Sequence, residues 1–175
     1  YPIIKHMRGP LFYAKILLFG EYGIIKDSKG LAIPYNSYQG ALKKSKNLSE
    51  TSQKSNLNLQ RFYNYLVNLE KQELVSFRLN EFKSDIEEGM YFDSSIPQGY
   101  GVGSSGALVA SIYDKYADDK ITVLENLTRD KLLKLKEIFS LMESFFHGKS
   151  SGLDPLNSYL SIPILINSKD NLEAT

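Results

Sequence analysis

Several features are missing or scarce in this 175-residue sequence, and each absence narrows what the protein can be. There is no cysteine, which excludes disulfides and cysteine-based metal sites. The two histidines, His6 and His147, are too few for a histidine-rich metal centre. The formal net charge of +1 gives no strong field for binding nucleic acid or a membrane surface. No apolar run approaches the roughly 20 residues that span a bilayer, and no secretory signal is visible.

What is present is the balance of a folded globular protein. Hydrophobic residues make up 42% and charged residues 23% of the chain, and its length fits one domain with an ample core. We therefore expect a cytoplasmic protein that binds neither nucleic acid nor a membrane and that could form a homodimer. Residues 1–6 end in His6 before Met7 and look like a tag remnant, which places the domain at residues 7–175.

The hydrophobic pattern indicates an α+β fold in which strands come first and helices later. Short apolar or alternating runs predict strands at residues 11–19, 24–25, 31–38, 40–43, 74–81, 90–92 and 161–166. Apolar residues at helical spacing predict helices at residues 59–69, 104–116, 129–147 and from 155 onward. Pro34 predicts an interruption of its strand, and the polar residues 45–58 and 167–175 predict a surface loop and a tail.

A glycine-rich stretch at residues 96–110 is the most distinctive feature of the sequence. The loop glycines and serines that precede an apolar helical run are Gly99, Gly101, Gly103, Ser104, Ser105 and Gly106. Backbone N–H groups in such a loop, at the positive end of a helix, can bind an anion such as phosphate. No lysine follows the glycines, so this is not a Walker loop. The alternative is a mobile loop that merely caps an ordinary helix.

Three charged residues could supply the chemistry that a phosphate loop needs. Asp154 follows a Gly/Ser-rich turn and could reach an open site, or it could simply cap the next helix. Glu143 has apolar neighbours on its helix, so it either faces inward toward a cation or is solvated at the edge of the stripe. Lys15, in the middle of an apolar strand, either reaches solvent from a sheet edge or points into the site. Phosphoryl transfer uses backbone donors, Mg²⁺ ligands and a carboxylate for the attacking hydroxyl.

Three segments, in order, resemble motifs of the galactokinase, homoserine kinase, mevalonate kinase and phosphomevalonate kinase (GHMP) superfamily. Residues 14–22 read Ala-Lys-Ile-Leu-Leu-Phe-Gly-Glu-Tyr and are similar to its first motif. Residues 97–107 are similar to its phosphate loop, Pro-x-x-x-Gly-Leu-Gly-Ser-Ser-Ala, with Val102 for Leu and Gly106 for Ala. Residues 147–154 are similar to its His-Gly-x-Pro-Ser-Gly-x-Asp segment. Within the superfamily the chain most resembles the mevalonate kinases.

The resemblance implies ATP and Mg²⁺ as cofactors and assigns a role to each matching residue. The ATP phosphates would lie against Gly99, Gly101, Gly103, Ser104, Ser105 and Gly106. Mg²⁺ would be held by Ser105 and Glu143. Asp154 would take the proton from, or orient, the substrate hydroxyl, and Lys15 would lie beside it and keep it ionised. Glu21 and Tyr22 would shape the substrate region.

The implied reaction is ATP-dependent phosphorylation of a small alcohol, with mevalonate and isoprenoid precursor synthesis as the first expectation. Tyr22 replaces the His usual in mevalonate kinases and is typical of phosphomevalonate kinases, so phosphomevalonate is the nearest alternative. Homoserine or a sugar is a more distant one. Ser150 replaces the usual Pro and Pro155 the usual Asn, but the Ser-Gly-x-Asp core favours the mevalonate type. A non-catalytic nucleotide- or metabolite-binding domain is the alternative from another functional class.

The resemblance also implies an architecture. It predicts a two-layer α+β domain of the ribosomal-S5-domain-2-like kind, which is the N-terminal ATP-binding half of such a kinase. No segment matches the second glycine-rich motif of the superfamily's C-terminal domain. We therefore expect the missing C-terminal half to be the main partner of these residues, and we expect that the isolated fragment could be inactive.

Overall fold

The computed structural model describes residues 10–19, 30–97, 103–122, 127–168 and 171–174. These ranges form a mixed α/β fold in which strands occur near both ends of the chain. In chain order the elements are β1 (Phe12–Phe19), β2 (Gly30–Lys44), α1 (Glu50–Glu70), α2 (Leu79–Glu87), β3 (Met90–Ser94), α3 (Ser104–Tyr116), α4 (Arg129–His147), α5 (Leu153–Leu160), β4 (Ile164–Ser168) and β5 (Asn171–Ala174). No helix in these ranges is long and apolar enough to cross a membrane.

The strands form one five-stranded antiparallel sheet built around the long strand β2. β1 pairs along one edge of β2, with Lys15 opposite Pro34. The other edge is shared by two strands, because β4 pairs with residues 30–32 and β3 with residues 40–44. β5 pairs with the far side of β4. The sheet therefore places Lys15, from the middle of β1, beside the first half of the longest strand.

Pro34 does not interrupt its strand, so this prediction was wrong. Between its pairings with β4 and β3, β2 has β1 as its one partner strand among the described residues, and a missing N–H is tolerated there. The irregularity lies further along β2. Tyr13 pairs with Gln39 but Ala14 pairs with Tyr35, so residues 36–38 bulge out of the ladder.

The core lies between the helices and the sheet. In α1 a stripe at a spacing of three to four residues is buried: Leu59, Phe62, Leu66 and Leu69. Every residue of α3 from Gly106 to Tyr113 is buried, because this helix packs against β1 and β2 as well as against α4 and α5. The position of α3 in the centre of the fold fixes where its first turn, with the predicted phosphate-binding serines, comes to lie.

The predicted surface loop at residues 45–58 is instead largely the start of α1. Ser49 caps this helix by accepting a hydrogen bond from a backbone N–H of the first turn. The polar composition led to a wrong prediction because some of these polar residues form hydrogen bonds inside the fold. Asn56 is buried, and its amide donates to the carbonyls of Ile86 and Met90 at 3.0 and 2.7 Å. These bonds compensate the cost of burying a polar side chain in the first half of the helix.

The predicted strand at residues 74–81 is also wrong. Only Phe77 forms an isolated bridge, with Ala117, and the helix α2 begins at Leu79. The alternating pattern that suggested a strand does not continue into α2. There Phe82 and Ile86, four residues apart, are buried on one face of the helix.

The other predicted elements differ from the observed helices and strands mainly at their ends. The helices predicted at residues 104–116 and 129–147 are confirmed with the same boundaries. The last predicted helix begins at Leu153 rather than Pro155, and the strand predicted at residues 161–166 begins at Ile164. The predicted tail contains β5, whose Leu172 is buried. The strand predicted at residues 24–25 lies outside the described residues.

An ionic cluster at Asp85 joins α2 to β2 and α3. The Asp85 carboxylate lies 2.5 Å from the Lys44 ammonium and 3.6 Å from that of Lys115, and it accepts a 2.6 Å hydrogen bond from the Tyr116 hydroxyl. Burial alone would raise the pKa of Asp85, but the hydrogen bonds from Lys44 and Tyr116 and the two ammonium charges outweigh it and lower that pKa. The ionised carboxylate therefore stabilises the fold.

We predict that Asp85→Asn lowers the free energy of unfolding by about 1–3 kcal/mol at neutral pH, because the Tyr116 hydroxyl loses a charged acceptor. Because the folded-state pKa lies below the unfolded value, this stabilisation is present above about pH 4 and is lost as the pH falls through the folded pKa. Chemical denaturation of the wild type and of Asp85→Asn between pH 7 and pH 3 measures this difference in the free energy of unfolding.

The matched control is Asp93→Asn, which breaks an exposed ion pair with Lys43 and should change stability by less than about 0.5 kcal/mol. Equal effects of the two substitutions, or a loss at Asp85 that does not shrink in acid, would contradict the prediction.

Candidate active site

The predicted site residues that the structure describes come from four elements that meet at one place. Lys15 lies on β1, and Gly103 directly precedes α3. Glu143 lies near the end of α4, and Asp154 lies in the first turn of α5. The extensive packing of α3 against α5 and β1 brings these segments together. Residues far apart in the sequence therefore converge at the N-terminus of the central helix.

Lys15 and Asp154 form an ion pair with 3.1 Å between Nζ and Oδ1. The Lys15 side chain is 14% exposed and that of Asp154 is 32% exposed, so the pair is sheltered but the carboxylate remains accessible to a small molecule. Lys15 therefore points into the site rather than from the sheet edge into solvent. Asp154 is not the cap of its helix either, because that position is held by Gly152 in a left-handed conformation with φ 77°.

Two glycines lie where the start of α3 meets this ion pair. A Cβ on Gly103 would lie 3.4 Å from Cγ of Lys15 and 3.7 Å from Cβ of Asp154, which are ordinary contacts, so glycine is favoured there by its positive φ of 84°. A Cβ on Gly106 would lie 2.8 Å from the carbonyl carbon and Cβ of Asp154 and 2.9 Å from the Pro155 nitrogen, which is too close for real atoms. The close approach accounts for glycine at position 106, where the GHMP motif has Ala.

The first turn of α3 offers backbone donors to this site. The helix begins at Ser104, and its cap residue, Gly103, has no side chain that could accept from the first N–H groups. The first N–H groups of a helix have no partner within the helix, and the helix dipole makes this end positive. Ser104 and Ser105, both partly buried, flank the same turn. An anion of the size of phosphate is the expected ligand of such a terminus.

Glu143 faces inward and is only 4% exposed, so the solvated alternative is wrong. Its oxygens contact hydroxyl groups rather than a Lys or Arg side chain: Ser105 donates to Oε2 at 3.1 Å and Ser150 to Oε1 at 2.5 Å. Burial, followed by the nearby charge of Asp154, raises the pKa of Glu143, although both hydroxyl hydrogen bonds act to lower it. A cation beside this carboxylate would relieve the cost of burying its charge.

His147 and Ser150 belong to the site, although sequence reasoning gave them no role. Nε2 of His147 lies 2.8 Å from Oγ of Ser105. This contact joins the Ser105 hydroxyl to a second side chain of α4. In the sequence both residues were only positions in a motif, and no pattern indicated that they would contact Ser105 and Glu143.

The oxygen atoms around Glu143 fit Mg²⁺. A carboxylate and a hydroxyl are hard ligands, and Mg²⁺ is commonly held by one or two carboxylates together with substrate phosphates. Within the described ranges no group of three or more His, Asp or Glu side chains could hold a metal ion. A cation at Glu143 and Ser105 would therefore need further oxygens from a bound ligand or from water.

The remaining predicted site residues lie outside the described part of the chain. They are Gly99 and Gly101 of the glycine loop and Glu21 and Tyr22 of the first motif. Their roles stay predictions. The site is thus defined at the start of α3 and at its three charged residues.

We predict that Gly106→Ala destabilises the protein by about 1–3 kcal/mol, because the new Cβ has to push α5 away from α3. The sign of the change in stability is the test, because helix propensity alone predicts that Gly106→Ala stabilises a helix by up to about 1 kcal/mol. Urea denaturation measures the difference. Ser104→Ala, in the same helical turn, is the control and should change stability by less than about 0.5 kcal/mol. A Gly106→Ala protein as stable as the wild type would refute the close packing of α3 and α5.

Comparison with known proteins gives structural but not sequence relatives. No family model matches the chain, and no curated protein matches it. Among solved structures, Methanococcus jannaschii mevalonate kinase matches 98% of this chain at a TM-score of 0.53 and 16% identity. L. major mevalonate kinase, solved in complex with R-mevalonate, matches 94% of the chain at a TM-score of 0.50 and 16% identity. Mevalonate kinase from Staphylococcus aureus MRSA252 matches 94% at a TM-score of 0.49 and 20% identity.

The matches cover 56% of the M. jannaschii chain and 51% of the L. major chain. This chain therefore spans about half the length of the solved structures that it matches. At such low identity the similarity concerns the fold alone. The chain has a mixed α/β fold like that of about half of a mevalonate kinase.

Proposed function

We propose that this chain is the ATP-binding part of a GHMP-type kinase that transfers the γ-phosphoryl group of ATP to the hydroxyl of a small alcohol. The observation that carries the proposal is the Lys15–Asp154 ion pair, packed against the glycines that open α3. It combines an accessible carboxylate, a fixed positive charge and a helix N-terminus suited to phosphate in one place. The fold similarity to mevalonate kinases supports the same proposal.

Phosphate binding falls to the first turn of α3. The N–H groups of Ser104, Ser105 and Gly106 are free of intrahelical partners and would donate to phosphate oxygens. Without a Cβ on Gly106, Asp154 lies against this turn, and Lys15 lies beside Gly103. Gly99 and Gly101 would extend the cradle on the loop side.

Glu143 and Ser105 would hold the metal. A bound Mg²⁺ would neutralise charge on the phosphate oxygens. The protein's contribution is to keep a carboxylate and a hydroxyl 3.1 Å apart in a sheltered position beside the helix N-terminus. Burial favours occupation by a cation, because in the described part of the chain the hydrogen bonds to this carboxylate come from the neutral hydroxyls of Ser105 and Ser150.

Asp154 would act on the acceptor alcohol. Its carboxylate would accept the hydroxyl proton, or orient that proton, while the hydroxyl oxygen forms a bond to the γ-phosphorus and the bond from that phosphorus to ADP breaks. Lys15, 3.1 Å away, fixes the direction of the carboxylate and supplies positive charge next to the transferred group. Most catalytic power in such a site comes from positioning and electrostatics.

Mevalonate is the acceptor that we propose, which would place the enzyme in isoprenoid precursor synthesis in the cytoplasm. The Ser-Gly-x-Asp segment that ends at Asp154 and the mevalonate kinase fold support it. Phosphomevalonate remains the second candidate because of Tyr22, which with Glu21 would shape the acceptor region. Homoserine, or a sugar, is the third. A further polypeptide half, as in the longer matched structures, would close the nucleotide site.

We predict that Asp154→Asn in the full-length protein lowers kcat for ATP-dependent phosphorylation of mevalonate by about 10²–10⁴-fold, because the hydroxyl loses its proton acceptor. ATP binding should persist, since the phosphates are held by α3. The measurement is coupled ATP consumption with mevalonate and with phosphomevalonate in parallel, together with nucleotide titration.

Asp130→Asn is the matched control, because Asp130 also lies in the first turn of a helix but is exposed and lies at the opposite end of α4 from Glu143. It should retain wild-type turnover. Normal turnover by Asp154→Asn would refute the assigned role of Asp154. Turnover with phosphomevalonate alone would refute mevalonate as the acceptor but keep the kinase.

A further inference from the structure

We propose that Ser150 is a positioning residue of the metal site, which fixes the Glu143 carboxylate and ties it to the start of the helix that carries Asp154. The inference rests on the proposed function for the roles of Glu143 and Asp154. It concerns a position at which this chain departs from the motif that it resembles, since Ser150 stands where that motif has Pro.

One hydroxyl group makes both connections. Oγ of Ser150 donates to Oε1 of Glu143 at 2.5 Å and accepts from the N–H of Gly152 at 3.0 Å. Gly152 is the cap residue of α5, and Asp154 follows in the first turn of that helix. The hydroxyl therefore spans from the proposed metal carboxylate to the backbone that places the proposed catalytic carboxylate.

The turn around Ser150 is packed tightly on α4. Oγ of Ser140, on that helix, donates to the carbonyl of Ser150 at 2.5 Å. A Cβ on Gly152 would lie 2.3 Å from the carbonyl oxygen of Lys136 and 2.8 Å from the nitrogen of Ser140. These contacts fix the backbone of the turn, so the Ser150 side chain loses little conformational entropy when it orients Glu143.

Ser150 and Ser105 are not equivalent donors. Ser105 is itself a proposed metal ligand, so its oxygen would face the cation. Ser150 bonds the other oxygen of Glu143, Oε1, and can keep that bond while Oε2 binds the metal. Because Glu143 is only 4% exposed, water has little access to replace a lost donor. Hydrogen bonds that orient a ligating carboxylate are commonly worth 10–100-fold in metal affinity.

Proline at this position could not do the same. A proline carbonyl could still accept from Ser140, but proline has no hydroxyl to reach Glu143 or to accept from Gly152. The contribution specific to serine is therefore the pair of hydroxyl contacts. In this chain those two contacts orient the Glu143 carboxylate.

The first test measures the Mg²⁺ dependence of ATP binding to the full-length protein by titration calorimetry or nucleotide fluorescence. In Ser150→Ala the Mg²⁺ concentration for half-maximal enhancement of ATP binding should rise about tenfold, whereas ATP affinity without Mg²⁺ should stay unchanged. Ser150→Thr, which keeps the hydroxyl, should restore the wild-type Mg²⁺ dependence. A purely structural role would lower ATP affinity with and without Mg²⁺ alike.

The matched control is Ser144→Ala, since Oγ of Ser144 donates to the carbonyl of Ser140 on its own helix at 2.6 Å. This variant should match the wild type in both titrations. If the wild type shows Mg²⁺-dependent ATP binding and Ser150→Ala has the same Mg²⁺ dependence, the inference is wrong and the proposed function stands. If the wild type shows no such binding, the proposed function and the metal-related role of Ser150 both fail.

The second test needs no nucleotide. Thermal unfolding of Ser150→Ala, Glu143→Ala and the double variant, in which each single change removes one partner of the hydrogen bond, forms a double-mutant cycle. If the two side chains are bonded, the loss in Tm of the double variant should be clearly smaller than the sum of the single losses. Additive losses would overturn the contact itself, whatever the protein binds.

Discussion

The contact between the first turn of α3 and the first turn of α5 is the constraint on which the site depends. Because Gly106 has no Cβ, the backbone at Asp154 lies directly against α3. That contact sets the Asp154 carboxylate beside the N–H groups that open α3 and within 3.1 Å of Lys15 on β1. A side chain at position 106 would push these two helices apart and move the carboxylate away from the helix terminus that we assign to phosphate.

The burial of Glu143 determines the chemistry of the second half of the site. Glu143 is withdrawn from solvent, and this burial raises the pKa of its carboxyl group and makes a cation beside it favourable. Ser105 links this carboxylate to α3, and Ser150 links it to α5. The start of α3, Glu143 and Asp154, to which we assign phosphate binding, metal binding and catalysis, are therefore held by one set of neighbouring contacts. We expect them to respond together to changes in the packing of α3, α4 and α5.

The sequence predicted the parts of this account that depend on local pattern. The helices α3 and α4 have strong apolar stripes or clear caps, and their predicted boundaries agree with the structure. Residues 45–58 and 74–81 were misread because tertiary contacts, such as the amide bonds of Asn56, outweigh local composition. Lys15, Glu143 and Asp154 were identified from residue type and motif, and the structure brings them together. Ser150 and His147 were missed because their contacts depend on how a turn folds back on α4, which no local pattern encodes.

The most direct test of the central claim is to follow the backbone amide resonances of Ser104, Ser105 and Gly106 while Mg²⁺ and ATP are added to the full-length protein. If the first turn of α3 binds the phosphates, these amides should shift most strongly. The Ser105 shift should depend on Mg²⁺, and inorganic phosphate should produce a weaker form of the same pattern. Shifts confined to other parts of the fold, or none at nucleotide concentrations that saturate related kinases, would contradict the account.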